Sequence, residues 1–140
     1  MRHTTCRTLA PDTAVRRVVM ALAAAREADR SVRMPSSFTP VESRLLRQAP
    51  SWAACAAILK SARAWWLWCE PRRGRARDGQ CVLDLPGGRY MVETLDTRTS
   101  AWVSCEAAAG SPLVFGLPRA GGPVLACIRR VARASQVPRE

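Results

Sequence analysis

The chain changes rhythm along its length. From Ala14 to about Asp29 apolar residues return at three- and four-residue steps: Val15, Val18, Val19, Leu22 and Ala25. That spacing lays one stripe along a helix. Pro11-Asp12-Thr13 supplies its start, with Asp12 or Thr13 as the N-cap. The stripe is thin, so the helix needs a surface to pack on. From residue 64 onward the period is two. Ala64-Trp65-Trp66-Leu67-Trp68-Cys69 is an aromatic run of strand length, stopped by Pro71. In the stretch Cys81 to Cys105, Leu83 and Leu85 point one way and Asp84 the other. Pro86-Gly87-Gly88 interrupts. Tyr90, Val92 and Thr94 then alternate with Met91, Glu93 and Leu95. The pattern predicts three short strands joined by two turns, with Leu83 to Glu93 as a hairpin. Leu113 to Leu117 and Val124 to Arg130 are two further strands.

Between these rhythms lie stretches with less pattern. Residues 30–40 carry Pro35, Ser36, Ser37 and Pro40 and read as a linker. Thr39-Pro40-Val41-Glu42 caps a short helix through Leu45, Leu46 and Arg47, and Pro50 ends it. Ser51 to Ser61 is alanine-rich, and periodicity does not choose between helix and strand. About six strands with Gly/Pro turns make the fold class mainly β: a small antiparallel β-sandwich or barrel with an N-terminal helical or poorly ordered segment. The expected division is residues 1–52 as a helical and linker segment, 53–133 as the β-domain, and 134–140 as a disordered tail.

A hydrophobic fraction of 48% over 140 residues suits one ordinary domain. The net charge of +11 changes the picture of partners. It suits a polyanion such as nucleic acid, an acidic polysaccharide or a membrane surface. Only Lys60 is lysine among 22 basic residues, which also fits a coding bias toward arginine. The densest basic run, with Arg72, Arg73, Arg75 and Arg77, would bind phosphates weakly and with strong salt dependence. No nucleic-acid motif surrounds it. No apolar run approaches the roughly 20 residues of a membrane span. Arg16-Arg17 before Val18 to Ala25 has the outline of a short export signal, but an amphipathic helix accounts for the same residues.

The six cysteines, Cys6, Cys55, Cys69, Cys81, Cys105 and Cys127, include no Cys-x-x-Cys pair, and the single histidine is His3. Zinc needs clustered ligands, so no metal or other cofactor is expected. Several of the cysteines take apolar strand positions, which predicts free buried thiols rather than three bridges.

Leu83-Asp84-Leu85-Pro86-Gly87-Gly88-Arg89-Tyr90-Met91-Val92-Glu93, followed by Asp96-Thr97-Arg98-Thr99, resembles the C-terminal β-sandwich domain found behind TIM-barrel glycoside hydrolases. That domain is often labelled the collagen-binding domain of a collagenase. Trp65 to Cys69 matches its aromatic strand and Val124 to Arg130 its closing strand, so the resemblance covers residues 53–131. Ser100 departs from it, standing where the family has glycine; so do Thr94 and Leu95, at a tryptophan and its neighbour. The catalytic barrel has no counterpart here. The resemblance therefore implies a non-catalytic accessory domain, or a fragment of a larger hydrolase gene. Its partner would be a catalytic glycoside hydrolase domain or carbohydrate.

Candidate chemistry is sparse. Glycosidic hydrolysis needs two carboxylates about 5–10 Å apart across a cleft. Glu70, Asp78, Asp84, Glu93, Asp96 and Glu106 are the candidates, and Asp84 with Glu93 would flank the predicted hairpin turn. Outward strand positions account for Asp84 and Glu93 better than catalysis does, and Asp96 with Thr97 and Thr99 fits a turn. A Cys–His or Ser–His pair would need His3 to dock. Trp65, Trp66, Trp68 and Trp102 are the candidate ligand-binding residues, because flat aromatic faces suit sugar rings. Trp66 and Trp68 share one face of a strand and Trp65 takes the other, so one face is core. The sequence thus points to a binding module rather than an enzyme. The alternative is a small basic protein that binds a polyanion through the Arg72–Arg77 loop.

Overall fold

The computed structural model describes residues 6–74 and 79–131. His3, Arg75, Arg77, Asp78 and the expected tail at 134–140 lie outside the described residues. The chain runs β1 (Arg7–Thr8), α1 (Pro11–Ala28), β2 (Thr39–Pro40), a 3-10 turn (Ser43–Leu45), β3 (Leu46–Gln48), β4 (Ala53–Lys60) and β5 (Ala64–Pro71). It continues through β6 (Gln80–Leu83), β7 (Arg89–Asp96), β8 (Ala101–Ala109), β9 (Leu113–Gly116) and β10 (Val124–Arg130). The fold is mainly β, with two sheets and one helix.

The large sheet has the order β1-β4-β5-β10-β7-β8, with β2 also alongside β4; the small one is β3-β6-β9. All pairings are antiparallel except β1 with β4. The hairpins are β4–β5 and β7–β8. Leu83 to Glu93 is not one. β6 belongs to the small sheet and β7 to the large sheet, so Pro86-Gly87-Gly88 carries the chain across the core. The alternation in both strands is real, but it reports a shared core and not shared hydrogen bonds. Three contacts hold the corner. Tyr90 is fully buried and its hydroxyl donates to the Pro86 carbonyl. Its ring meets Trp65 edge-on at 5.9 Å. Gly88 has φ +151, which glycine adopts without strain, and a Cβ there would sit 3.0 Å from the Arg130 guanidinium. A tyrosine bonded a few residues back along the backbone is a recurrent corner device of sandwiches.

The main core fills the space between the sheets. Trp52, Leu67, Leu83, Tyr90, Leu113 and Ile128 are all completely buried in it. The opposite face of the large sheet is also covered. There Ala14, Val18, Leu22 and Ala25 of α1 bury onto Ala57, Leu59, Trp66, Trp68, Leu125 and Cys127. Burying Val18 and Leu22 alone contributes about 3–6 kcal/mol. The molecule therefore has three layers: helix, large sheet and small sheet. Residues 6–52, expected as an appendage, supply α1 and three of the strands, and Trp52 sits in the main core.

Local expectations met different fates. The helix starts earlier than read, with Ala10 as N-cap and Pro11 in its first turn; no side chain caps it, and Asp12 lies inside. Val19 faces solvent, because the buried stripe is the Ala14-Val18-Leu22-Ala25 row. The expected short helix after Thr39 shrinks to the 3-10 turn, since Leu46 to Gln48 pairs with β6 instead. Ala53–Lys60 resolves as strand because β5 pairs along its length.

Candidate functional site

One cleft of about 590 Å³ opens at the end of the helix-covered face. Its floor is the large sheet: Trp66 of β5, Cys127 and Arg129 of β10, Glu93 of β7 and Trp102 of β8. One wall is the chain after α1, including Ser31, Arg33, Ser36 and Ser37, and another is the β4–β5 turn with Ser61 and Arg63. α1 ends at Ala28, and the chain that follows it, from Asp29 to Ser37, lines the cleft. That stretch, read as a linker, is a wall.

The polar groups of the cleft are held in place. Glu93 and Arg129 lie on adjacent strands and pair as carboxylate and guanidinium. Trp66 Nε1 donates to Ser61 Oγ at 2.9 Å, and Phe38 meets the Trp66 ring edge-on at 5.9 Å. Asp29 accepts from both the backbone N–H and the hydroxyl of Ser31, at 3.0 and 2.7 Å, and these bonds lower its pKa. Burial pushes the Cys127 thiol up to about 12, so it stays protonated and a poor nucleophile at neutral pH. Trp102, on the floor, is half-buried. The set offers aromatic surface, one carboxylate, guanidinium groups and hydroxyls. Such a set recognises a polar ring compound by stacking and hydrogen bonding.

The four candidate tryptophans do not form one platform. Trp66 and Trp68 are 6% and 4% exposed beneath α1, so helix packing takes the faces a ligand would need. Trp65 lies on the opposite face of the sheet, half-buried against Tyr90 with Lys60 Nζ 4.6 Å above its ring. Of the four, only Trp66 and Trp102 line this cleft.

Four of the six candidate acids have partners. Glu70 accepts from Arg17 of α1, from Trp68 Nε1 at 2.8 Å and from Cys55 Sγ at 3.4 Å. Burial pushes its carboxyl up, but these hydrogen bonds outweigh it and hold the pKa below the usual range. Glu70 thus fastens helix to sheet, and burial with that contact pushes Cys55 up to about 11. Asp84 pairs with Arg47 at 3.3 Å, in the small sheet, and Glu93 with Arg129, in the large one. The supposed hairpin acids therefore sit in different sheets with different partners. Asp96 Oδ1 accepts from the Arg98 backbone N–H at 3.0 Å, and Thr97 Oγ1 donates to the Pro123 carbonyl at 2.7 Å, so both shape the turn. Glu106 is exposed on β8.

The arginine loop also divides. Arg72 turns inward and donates to the Ala53 carbonyl at 2.6 Å, while Arg73 is exposed. Arg119 clasps the same loop through the carbonyls of Arg72 and Gly74. A second cleft, about 340 Å³, gathers Arg7, Arg44 and Arg47 beside β4. Glu42 pairs with Arg44 there and Asp84 with Arg47. Of the cysteines only Cys105 is exposed; Cys55, Cys69, Cys81 and Cys127 are buried free thiols and Cys6 is half-buried. Among the described residues no cluster of three metal-ligating side chains occurs, and no helix is long and apolar enough to cross a membrane.

Sequence reasoning named Trp66, Trp102 and Glu93 but missed Arg129, Ser31, Ser36, Ser37 and Ser61. No local signal marks these, because they come from three separate places: the chain after α1, the β4–β5 turn and β10. No protein-family model matches the chain, and no curated protein does.

Proposed function

We propose that this protein is a non-catalytic β-sandwich module that binds a carbohydrate unit in the cleft beside Trp102, as an accessory to a carbohydrate-active catalytic partner. The observation that carries the reading is the composition of that cleft. It joins a half-buried indole to a fixed Glu93–Arg129 pair and a rim of serine hydroxyls. An indole face stacks on the C–H face of a pyranose, and carboxylate and guanidinium groups bond its hydroxyls in pairs. The volume suits one or two sugar rings. Glu70 and Asp84 are engaged in ion pairs and Asp96 in a turn, all outside the cleft, and Glu93 within it is paired with Arg129. The link to a glycoside hydrolase rests on the resemblance of residues 53–131 and is the broader part of the proposal.

Titration calorimetry against a panel of neutral and acidic oligosaccharides tests it. Binding of at least one member is expected, weakened about tenfold or more by Trp102→Ala and unchanged by Trp65→Ala on the opposite face. No binding across the panel, or equal binding by the Trp102→Ala variant, overturns the reading.

A further inference from the structure

We propose that the free edge of β8 is the pairing surface for a second copy of this chain, joined antiparallel so that the large sheets run on into one another. Among the described residues β8 ends the strand order and pairs with β7 alone. With nine residues it is the longest strand, and most of it is exposed. An open edge leaves a row of backbone N–H and C=O groups facing outward, and proteins normally blunt such edges with prolines, basic residues or very short strands. The opposite edge of this sheet has all three protections. It ends in two-residue strands, with Arg7 in β1 and Pro40 in β2. β8 contains no proline, glycine, lysine or arginine, and its one charge is Glu106.

Charge argues for a second copy of the chain in particular. Two molecules at +11 repel one another over most of their surfaces. Residues 99–118, however, carry no lysine or arginine, and this is the longest such run in the sequence. β8 lies inside it. The edge that lacks protection is thus also the edge where self-approach meets least repulsion.

Geometry narrows the register. β8 pairs regularly with β7 from Ser104 to Ala109, and Val103 is the extra residue of a bulge opposite Thr94 and Leu95. The straight part of the edge is therefore Ser104 to Ala109. A two-fold axis perpendicular to a continuous sheet keeps each side chain on its own face, so it must pass through a residue paired with itself. Centring on Glu106 would oppose two carboxylates. Centring on Cys105 would draw the bulged Val103 into the ladder. Centring on Ala107 pairs Cys105 with Ala109 of the second copy and Glu106 with its Ala108. It uses only the straight stretch and sets no like charges opposite. Both helix-covered faces, and both clefts, then open on the same side of the joined sheet.

Analytical ultracentrifugation of the full chain over a range of micromolar concentrations, with Ala107→Arg and Ala107→Glu, tests this. Ala107 is exposed, so neither side chain disturbs the core, and far-UV circular dichroism confirms the fold. The unaltered chain is expected to dimerise. Each variant alone is expected to weaken the dimer about tenfold or more, because like charges meet at the axis. An equimolar mixture of the two is expected to restore it as a heterodimer. A monomer at every concentration overturns the proposal. So does an Ala107→Arg chain that dimerises as before, or a mixture that stays monomeric.

Discussion

The two faces of the large sheet are covered in different ways, and the difference decides where a ligand can sit. On one face the small sheet lies across the core, and the side chains between them are almost wholly apolar and sealed. On the other face one helix of 18 residues covers β4, β5 and part of β10. A helix that long spans about 27 Å but is only about 10 Å wide, whereas neighbouring strands step about 4.8 Å apart. It cannot cover six strands. Leu95 of β7 is still completely buried on that face, but Glu93 and Trp102 are only half-buried and reach the cleft. A sheet on a sheet yields stability; a helix on a sheet leaves room for recognition.

The comparison predicts unequal costs for tryptophan removal. Trp52 is completely buried between the sheets, and its Nε1 donates to the Leu117 carbonyl at 3.1 Å. Trp52→Ala is expected to cost about 4–5 kcal/mol, from the cavity and the orphaned carbonyl together. Trp66→Ala, at the lip of the cleft, is expected to cost about half as much, since water can enter and the site can collapse. Urea denaturation of both variants checks this. Equal losses would mean that the helix-covered face is as tightly sealed as the other.

A smaller effect concerns the fastening of the helix. The Glu70 carboxyl has a folded pKa below its ordinary value of 4.5. Its stabilising contribution is therefore fully present above about pH 4.5 and is lost as pH falls through the lower, folded value. Discounted for partial exposure, Glu70→Gln is expected to cost about 1 kcal/mol at pH 7. The gap to the unaltered protein should close toward pH 3. Melting temperatures of the two chains between pH 3 and 7 read it, and a gap that does not change with pH would remove Glu70 as the fastener.

The smallest effect is a gain, and it lies away from both faces. Ser100 in the β7–β8 turn has φ +57, a left-handed conformation that costs a non-glycine residue about 1 kcal/mol. Ser100→Gly is expected to stabilise by about 0.5 kcal/mol after glycine's greater unfolded-state entropy is counted. Thermal denaturation with a melting point unchanged or lowered would show that the Ser100 side chain compensates its own strain.

Much of the β-architecture was legible because its signals are local. Period-two alternation marks β6 and β7, aromatic content marks β5, and Val124 to Arg130 matches β10 to the residue. Asp96 is legible as a turn former because its bond reaches the near backbone of Arg98, whereas the Thr97 hydroxyl reaches the distant Pro123 carbonyl. The helix register was read one residue off in places, since alanine packs as well as valine where backbones come close: Ala14 is buried and Val19 is not. β4 was not legible, because an alanine-rich strand covered on both faces has no period.

What the sequence determined by itself was therefore the strands from β5 onward, the long amphipathic helix and the placing of most turns between them. Each depends on residues within a few positions of one another. Only the tertiary structure decided which strands pair. Pro86-Gly87-Gly88 permits a hairpin or a crossing between sheets, and alternation on either side looks the same in both, since each strand buries one face in a common core. The choice falls to long-range partners: β9 beside β6, and β10 beside β7. The cleft depends on the same kind of choice. Its residues come from across the chain, between Leu22 and Arg129, and they share nothing in sequence but a place where one helix proves too narrow for the sheet beneath it.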